Sequence, residues 1–239
     1  MQHADSNRWS IYIDVEGFSA LYERDSTRAI WALSTLMGAL YRVGAKAFPA
    51  VPDRLFIHQF GDGFVIVSDF PEATAERPLA VAIAVMRHMI AKGVATKSAI
   101  SSGDFSDIFG CYPSEVQEAA DDHHHVRIGD GIMTIIPVMG SALISPYKLA
   151  AKKAGAVLLL DPTKFSATPC GLKLASGSLT IVDWIHSDFP MISEICGRAG
   201  LAPVTAEAAE NCLRGYVHTN RGLSTDWVSS TLSSVGISS

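Results

Sequence analysis

Apolar and polar positions alternate through Trp9-Ser10-Ile11-Tyr12-Ile13, and the run breaks off in Asp14-Val15-Glu16-Gly17. A period of two over this length predicts a buried strand, with Gly17 giving the positive φ of a tight turn and Asp14 held at the strand's end. The arrangement recurs downstream. Strand-like runs at 55–60 and 64–67 flank Gly61-Asp62-Gly63, which predicts a hairpin with a carboxylate at its tip. Ile30, Leu33, Met37, Leu40 and Val43 recur at helical spacing, with Asp25 or Ser26 as N-cap, and predict a helix to Lys46, before Pro49. Pro78 suits a first helical position, and Leu79, Ile83, Met86 and Ile90 make one apolar face that ends at Gly93.

Further along, 96–102 reads as a strand leading to Gly103-Asp104, with 108–112 as its short continuation or partner. Between 114 and 131 the pattern fails, which predicts a loop. It carries Asp121, Asp122, His123, His124 and His125, residue types that ligate transition metals. Consecutive histidines cannot all face one centre from a regular element, so a solvated or interface loop is the reading. A strand at 132–138, a helix from Gly140 through Leu149 to Lys153 and a buried strand at 156–160 follow. Alternating elements of this kind predict an α/β (α+β) sandwich, with helices packed over a mixed sheet. Beyond Asp161 the signal thins to a terminal hairpin at 172–174 and 179–184, then helices at 205–218 and 224–232. With no clear linker, residues 1–185 read as the main domain and 186–239 as a helical extension packed on it.

Composition narrows the classes. A chain of 239 residues with 48% hydrophobic content buries a sizeable core. Mean hydropathy is +0.23, yet charged residues or histidine break every run approaching the ~18 apolar residues of a membrane span, which predicts a soluble protein. Residues 1–10 have neither a basic start nor an apolar signal core, so the expected compartment is the cytoplasm. Cys111, Cys170, Cys196 and Cys212 are widely spaced and read as reduced structural thiols. Nineteen basic against 24 acidic residues give no footprint for nucleic acid.

Against that background the two glycine-flanked acids carry the chemistry. Taken singly, Asp14 and Asp62 are ordinary turn residues whose carboxylates bond nearby N–H groups. As a pair at strand ends they suit hard divalent cations, which take carboxylate oxygens and leave positions open for a substrate phosphate.

The ordered blocks IDVEGFS, FGDG, SAISSGD and VMGSALISPYKLA, spanning 11–160, resemble the catalytic domain of class III nucleotidyl cyclases. The resemblance implies that Asp14, Asp62 and the backbone carbonyl of Val15 bind two divalent cations, Mn2+ or Mg2+. It also implies ribose 3′-hydroxyl attack on the α-phosphate of a nucleoside triphosphate. Lys148 falls where the family places the arginine that neutralises the α-phosphate; lysine is a point charge rather than a planar fork, and its other reading is a solvated helix residue. Ile144 or Ser145 occupies the region of the family's ribose-binding asparagine. Lys97 is a further phosphate or base candidate, or a surface lysine.

Purine-selective members resembling this chain read the base with a Lys or Glu paired to an Asp or Cys. The matching positions here are His58 and Pro137, and proline offers no side-chain hydrogen bond. His58 reads either as a base contact or as a core histidine. This gap and the SPYKLA helix resemble the pyrimidine cyclases of bacterial Pycsar anti-phage defence. That subgroup implies a substrate of UTP, with CTP as the alternative, and a cyclic product acting on a separate effector protein. It also implies a head-to-tail homodimer with sites at the interface. A catalytically silent nucleotide-binding module and a purine cyclase with an unusual pocket are the competing readings.

Overall fold

The computed structural model describes residues 7–48, 55–121 and 124–237. Pro49, Asp122, His123 and the first six residues lie outside them. The first half of the chain runs β1 (Arg8–Val15), α1 (Phe18–Arg24), α2 (Ser26–Lys46), β2 (Leu55–Phe60), β3 (Gly63–Pro71), α3 (Glu76–Ala91) and β4 (Thr96–Gly103). Next come β5 (Ser106–Asp107), α4 (Ser114–Ala119), β6 (His125–Ile128), β7 (Gly131–Thr134), β8 (Val138–Met139), α5 (Ser141–Ala150) and β9 (Leu158–Leu160). The chain closes with β10 (Leu174–Ala175), β11 (Ile181–Val182), α6 (Pro190–Ala199), α7 (Ala206–Thr219) and α8 (Thr225–Ser234).

Seven strands form one mixed sheet in the order β10-β11-β9-β4-β1-β3-β2. β1 sits inside it, antiparallel to both β3 and β4, while β4 and β9 run parallel. The expected α/β sandwich is therefore the architecture found. Alternation along β1 divides its side chains between two cores: Trp9, Ile11 and Ile13 face α2 and α3, and Tyr12 faces the opposite layer with Val65, Ala99 and Ala142. A one-residue register slip would exchange these faces, so the alternation itself pins Asp14 to the Tyr12 side.

Several expectations give way to packing. α2 begins at its Asp25 cap, whose carboxylate accepts from the Arg28 N–H at 2.9 Å, but it buries Ala29, Ala32, Leu36, Ala39, Leu40 and Val43. Ile30 and Met37, expected inside, are 57% and 44% exposed, because alanines let the helix sit closer to the sheet than larger side chains allow. α3 has no single apolar face: every residue from Pro78 to Ile90 is buried, because α6 and α7 cover the side turned away from the sheet. It also starts two residues ahead of Pro78. The expected loop at 114–131 contains α4 and one strand of the β6–β7 hairpin. The expected strand at 132–138 is split between β7 and β8, which flank Pro137, and 109–111 forms a short 3-10 turn.

The C-terminal helices are tied down by polar groups on α3. Arg87 donates to the carbonyls of Trp184, Ile185 and Ser187 at 3.0, 2.8 and 2.5 Å, and His88 Nδ1 accepts from the Ala202 N–H at 2.9 Å. No helix among the described residues is long and apolar enough to cross a membrane, and the four cysteines are unbridged.

Candidate active site

Strand register brings the first two motifs together. Asp14 pairs across β1–β3 with Gly63, the residue after Asp62, and Gly61-Asp62 is the whole connection between β2 and β3. Gly63 is required by close approach: a Cβ there would lie 2.7 Å from the Tyr12 hydroxyl. That hydroxyl donates to Asp14 Oδ2 at 2.9 Å. The other carboxylate oxygen, Oδ1, is buried and has no hydrogen-bond partner among the described residues.

This environment works against the Asp14 charge. Burial, then the negative Glu16, raise its pKa from 3.8 to about 6; the Tyr12 hydrogen bond and Lys97 oppose that rise, and Asp62 adds to it. Burial and the adjacent Asp14 charge likewise hold the Tyr12 phenol well above its ordinary value, so it stays a donor. A cation between Asp14 and Asp62 would relieve both the enclosed, unpartnered oxygen and the like-charge repulsion, so the residues present fit such an ion. Among the described residues no group of three or more His, Cys, Asp or Glu side chains is arranged around a metal position.

A cavity of about 610 Å³ opens beside the acids, walled by Tyr12, Phe60, Asp62, Ile136, Ile144 and Tyr147. Two of the four sequence blocks, FGDG and VMGSALISPYKLA, thus line one space, and Tyr12 joins them from the strand that carries the first block. SAISSGD is joined by its glycine-bearing end: the Asp104 carboxylate accepts from the Ser141 N–H at 3.1 Å and from the Ser141 hydroxyl, clamping the end of β4 to the start of α5. The Tyr147 ring meets the Tyr12 ring edge-on at 5.3 Å, which seats α5 over the acid side of the sheet.

The remaining sequence candidates fall around this centre rather than all within it. Lys97 lies opposite Asp14 on β4, but its ammonium is bound to Glu16 at 2.6 Å, and Glu16 also accepts from the Trp227 indole at 2.6 Å. His58, across from Val65 on β2, packs its ring 6.1 Å from Phe105, and burial lowers its pKa, so the ring is neutral. Pro137 sits between the cavity residues Ile136 and Val138, where its carbonyl accepts from the Ile108 N–H at 2.8 Å. Lys148 is exposed on α5, one residue past Tyr147, with no ion pair among the described residues. Neither His58 nor Lys148 is part of the cavity wall. His124 and His125 are at the β6–β7 hairpin, where Asp121 accepts from the His125 N–H at 2.9 Å.

Sequence reading passed over Tyr12, Glu16 and Tyr147. Parity alone would have found Tyr12, two residues from Asp14 on the same strand face. Nothing in the sequence signals Trp227, which reaches Glu16 from 211 residues away.

No family model matches the chain. No curated protein matches it either. Among solved structures, it is similar to a bacterial light-regulated adenylyl cyclase at 10% identity and a TM-score of 0.42, over 87% of this chain and 57% of that one. The chain thus spans just over half the length of that protein.

Proposed function

We propose that the protein is a nucleotidyl cyclase that converts UTP to cyclic UMP and pyrophosphate. The observation that carries this reading is the strand register that sets Asp14 opposite Gly63, the residue after Asp62, beside a cavity lined by Asp62 and α5, with Asp14 Oδ1 buried and without a hydrogen-bond partner among the described residues. Asp14, Asp62 and the Val15 carbonyl would hold two divalent cations, Mn2+ or Mg2+. When bound, these would activate the ribose 3′-hydroxyl and neutralise the triphosphate.

The chain's own residues supply the rest. Tyr12 occupies Oδ2 of Asp14, which leaves Oδ1 as the oxygen that would take an ion. Phe60, Ile136, Ile144 and Tyr147 give the cavity an apolar rim that would exclude water once a second protomer covers it, which would strengthen every charge interaction inside. Lys148 would neutralise the α-phosphate as charge develops there. It stands exposed outside the cavity wall, in keeping with delivery to the site of a second protomer.

A homodimer is supported by the exposed apolar side chains that rim this side of the molecule: Phe60, Ile136, Met139, Ile144 and Tyr147. A two-fold pairing would cover both rims at once and give each chain's acids the other chain's α5. UTP is favoured over CTP on the subgroup resemblance. With Pro137 and a neutral His58 in the base-reading positions, recognition of a small pyrimidine would rest on shape and stacking. On the same resemblance, the cyclic nucleotide signals to a separate effector protein in anti-phage defence.

The test is incubation with each of the four ribonucleoside triphosphates and Mn2+, with products identified by mass spectrometry. Cyclic UMP as the main product is expected. Cyclic CMP would reassign the base, and a purine product would overturn the pyrimidine reading. One observation favours a silent nucleotide-binding module instead: Ile144, in the family's ribose-asparagine region, lines the cavity and cannot hydrogen-bond a hydroxyl. Nucleotide binding without pyrophosphate release would establish that reading.

A further inference from the structure

A second cavity, of about 120 Å³, lies behind the acid-bearing turn and shares no residue with the first. Its walls come from the 15–17 turn, the junction of α1 and α2, the 93–95 segment before β4, and the C-terminal end of α7. It brings together Arg24 and Arg28, the Tyr216 side chain and the backbone around Gly222. The volume is far below the roughly 300 Å³ at which sites for drug-sized ligands begin, so it admits a small ion and excludes a nucleotide.

Two arginines and one acid, Glu16, line this cavity. Arg24 closes α1 and Arg28 opens α2, and neither guanidinium has an ion pair among the described residues. The nearby acids are committed elsewhere. Asp25 caps α2 through the Arg28 N–H, and Glu16 is shared between Lys97 and Trp227. Both arginines act on the Tyr216 hydroxyl, which burial and Glu16 push toward the neutral, donating form. Four other arginines are matched, Arg8 to Asp69, Arg87 to three carbonyls, Arg198 to Glu194 and Arg214 to Glu210, while the exposed Arg127 and Arg221 likewise have no ion pair among the described residues but line no cavity with a second arginine. Two arginines and a tyrosine thus line one small space whose single acid, Glu16, is already held by Lys97 and Trp227. The groups that satisfy guanidinium forks bidentately are carboxylates and phosphates.

We infer that this cavity is a binding site for a small oxyanion, an inorganic phosphate or a carboxylate, gripped by Arg24 and Arg28 with the Tyr216 hydroxyl as a further donor. The C-terminal extension closes one wall of the site through Tyr216 on α7 and the turn that follows it. That gives the extension a role beyond covering α3. The inference does not depend on the proposed cyclase activity.

The experiment is isothermal titration and thermal unfolding of the full chain in EDTA, so that no divalent cation can recruit anions to Asp14 and Asp62. Ionic strength is held constant with potassium chloride, and inorganic phosphate and acetate are titrated in separate arms. Saturable binding of one anion per chain is expected, with a rise in melting temperature that follows the same saturation. Response to phosphate alone identifies that ligand, and response to both or to acetate alone extends the site to carboxylates. The exposed pair Arg24→Gln/Arg28→Gln should weaken the affinity at least tenfold while keeping the melting temperature of the anion-free protein, and Tyr216→Phe should weaken it less. The inference is overturned by a response no greater than that to chloride, or by saturable binding that the double variant leaves unchanged.

Discussion

Replacing Asp14 by asparagine removes a charge that the fold resists while keeping the shape of the side chain and an oxygen to accept from Tyr12. Enclosure and the neighbouring Glu16 raise the Asp14 pKa from 3.8 to about 6. A displacement of that size corresponds to about 3 kcal/mol between the two protonation states. Its sign is unambiguous: the folded form holds the proton more tightly than the unfolded form. The stability it contributes is therefore fully present below pH 3.8 and lost as pH rises through about 6. At pH 8 without divalent cations the wild type carries the whole penalty. Solvent on the cavity side screens part of it, so the expected gain for Asp14→Asn is about 1–2 kcal/mol. For a chain of this size that is roughly 2–8 °C in melting temperature. Calorimetric scans in EDTA from pH 4 to pH 8 should show the variant's advantage growing through pH 6 and vanishing near pH 4. Adding Mn2+ should stabilise the wild type and leave the variant unmoved. A variant that melts at or below the wild-type temperature at pH 8 would refute the reasoning, because the carboxylate would then be stabilising the fold rather than waiting for a cation.

Other consequences are as direct. Gly63→Ala puts a methyl group against the Tyr12 hydroxyl and ring; it should cost about 1–3 kcal/mol by overpacking and weaken Mn2+ stabilisation, read by thermal shift with and without the ion. Lys97→Met leaves the largely buried Glu16 with Trp227 alone; a loss of about 2–3 kcal/mol in urea unfolding is expected, partly recovered when Glu16→Gln is added, since an unpaired buried charge is the damage. Arg87→Lys keeps the charge but cannot reach three carbonyls at once; a loss of about 2–3 kcal/mol is expected, with hydrogen exchange rising first in α6.

How far each feature could be read from the chain follows from how local its cause is. The period-two run ending in Asp14, the glycine-flanked Asp62 and the Asp25 cap depend on neighbours in sequence, and the structure realises each where the pattern put it. The face of α2 depends on what it packs against. Ile30 and Met37 are the more hydrophobic choice, yet the alanine face is buried because it fits the sheet. α3 was legible as a helix but not as one enclosed on all sides, because the covering helices lie more than a hundred residues on. The broken pattern at 114–131 concealed a helix and a hairpin too short to declare a period.

The site divides along the same line. By itself the sequence determined which acids stand at strand ends, because a carboxylate beside a glycine turn is written in adjacent letters. Only the tertiary structure decided what surrounds them. Tyr12 reaches Asp14 because Gly63 has no side chain, Lys97 is drawn to Glu16 by the β1–β4 register, and Trp227 arrives from the last helix. Burial and long-range charge set how strongly Asp14 resists ionisation, and those are properties of a folded volume that no stretch of chain contains.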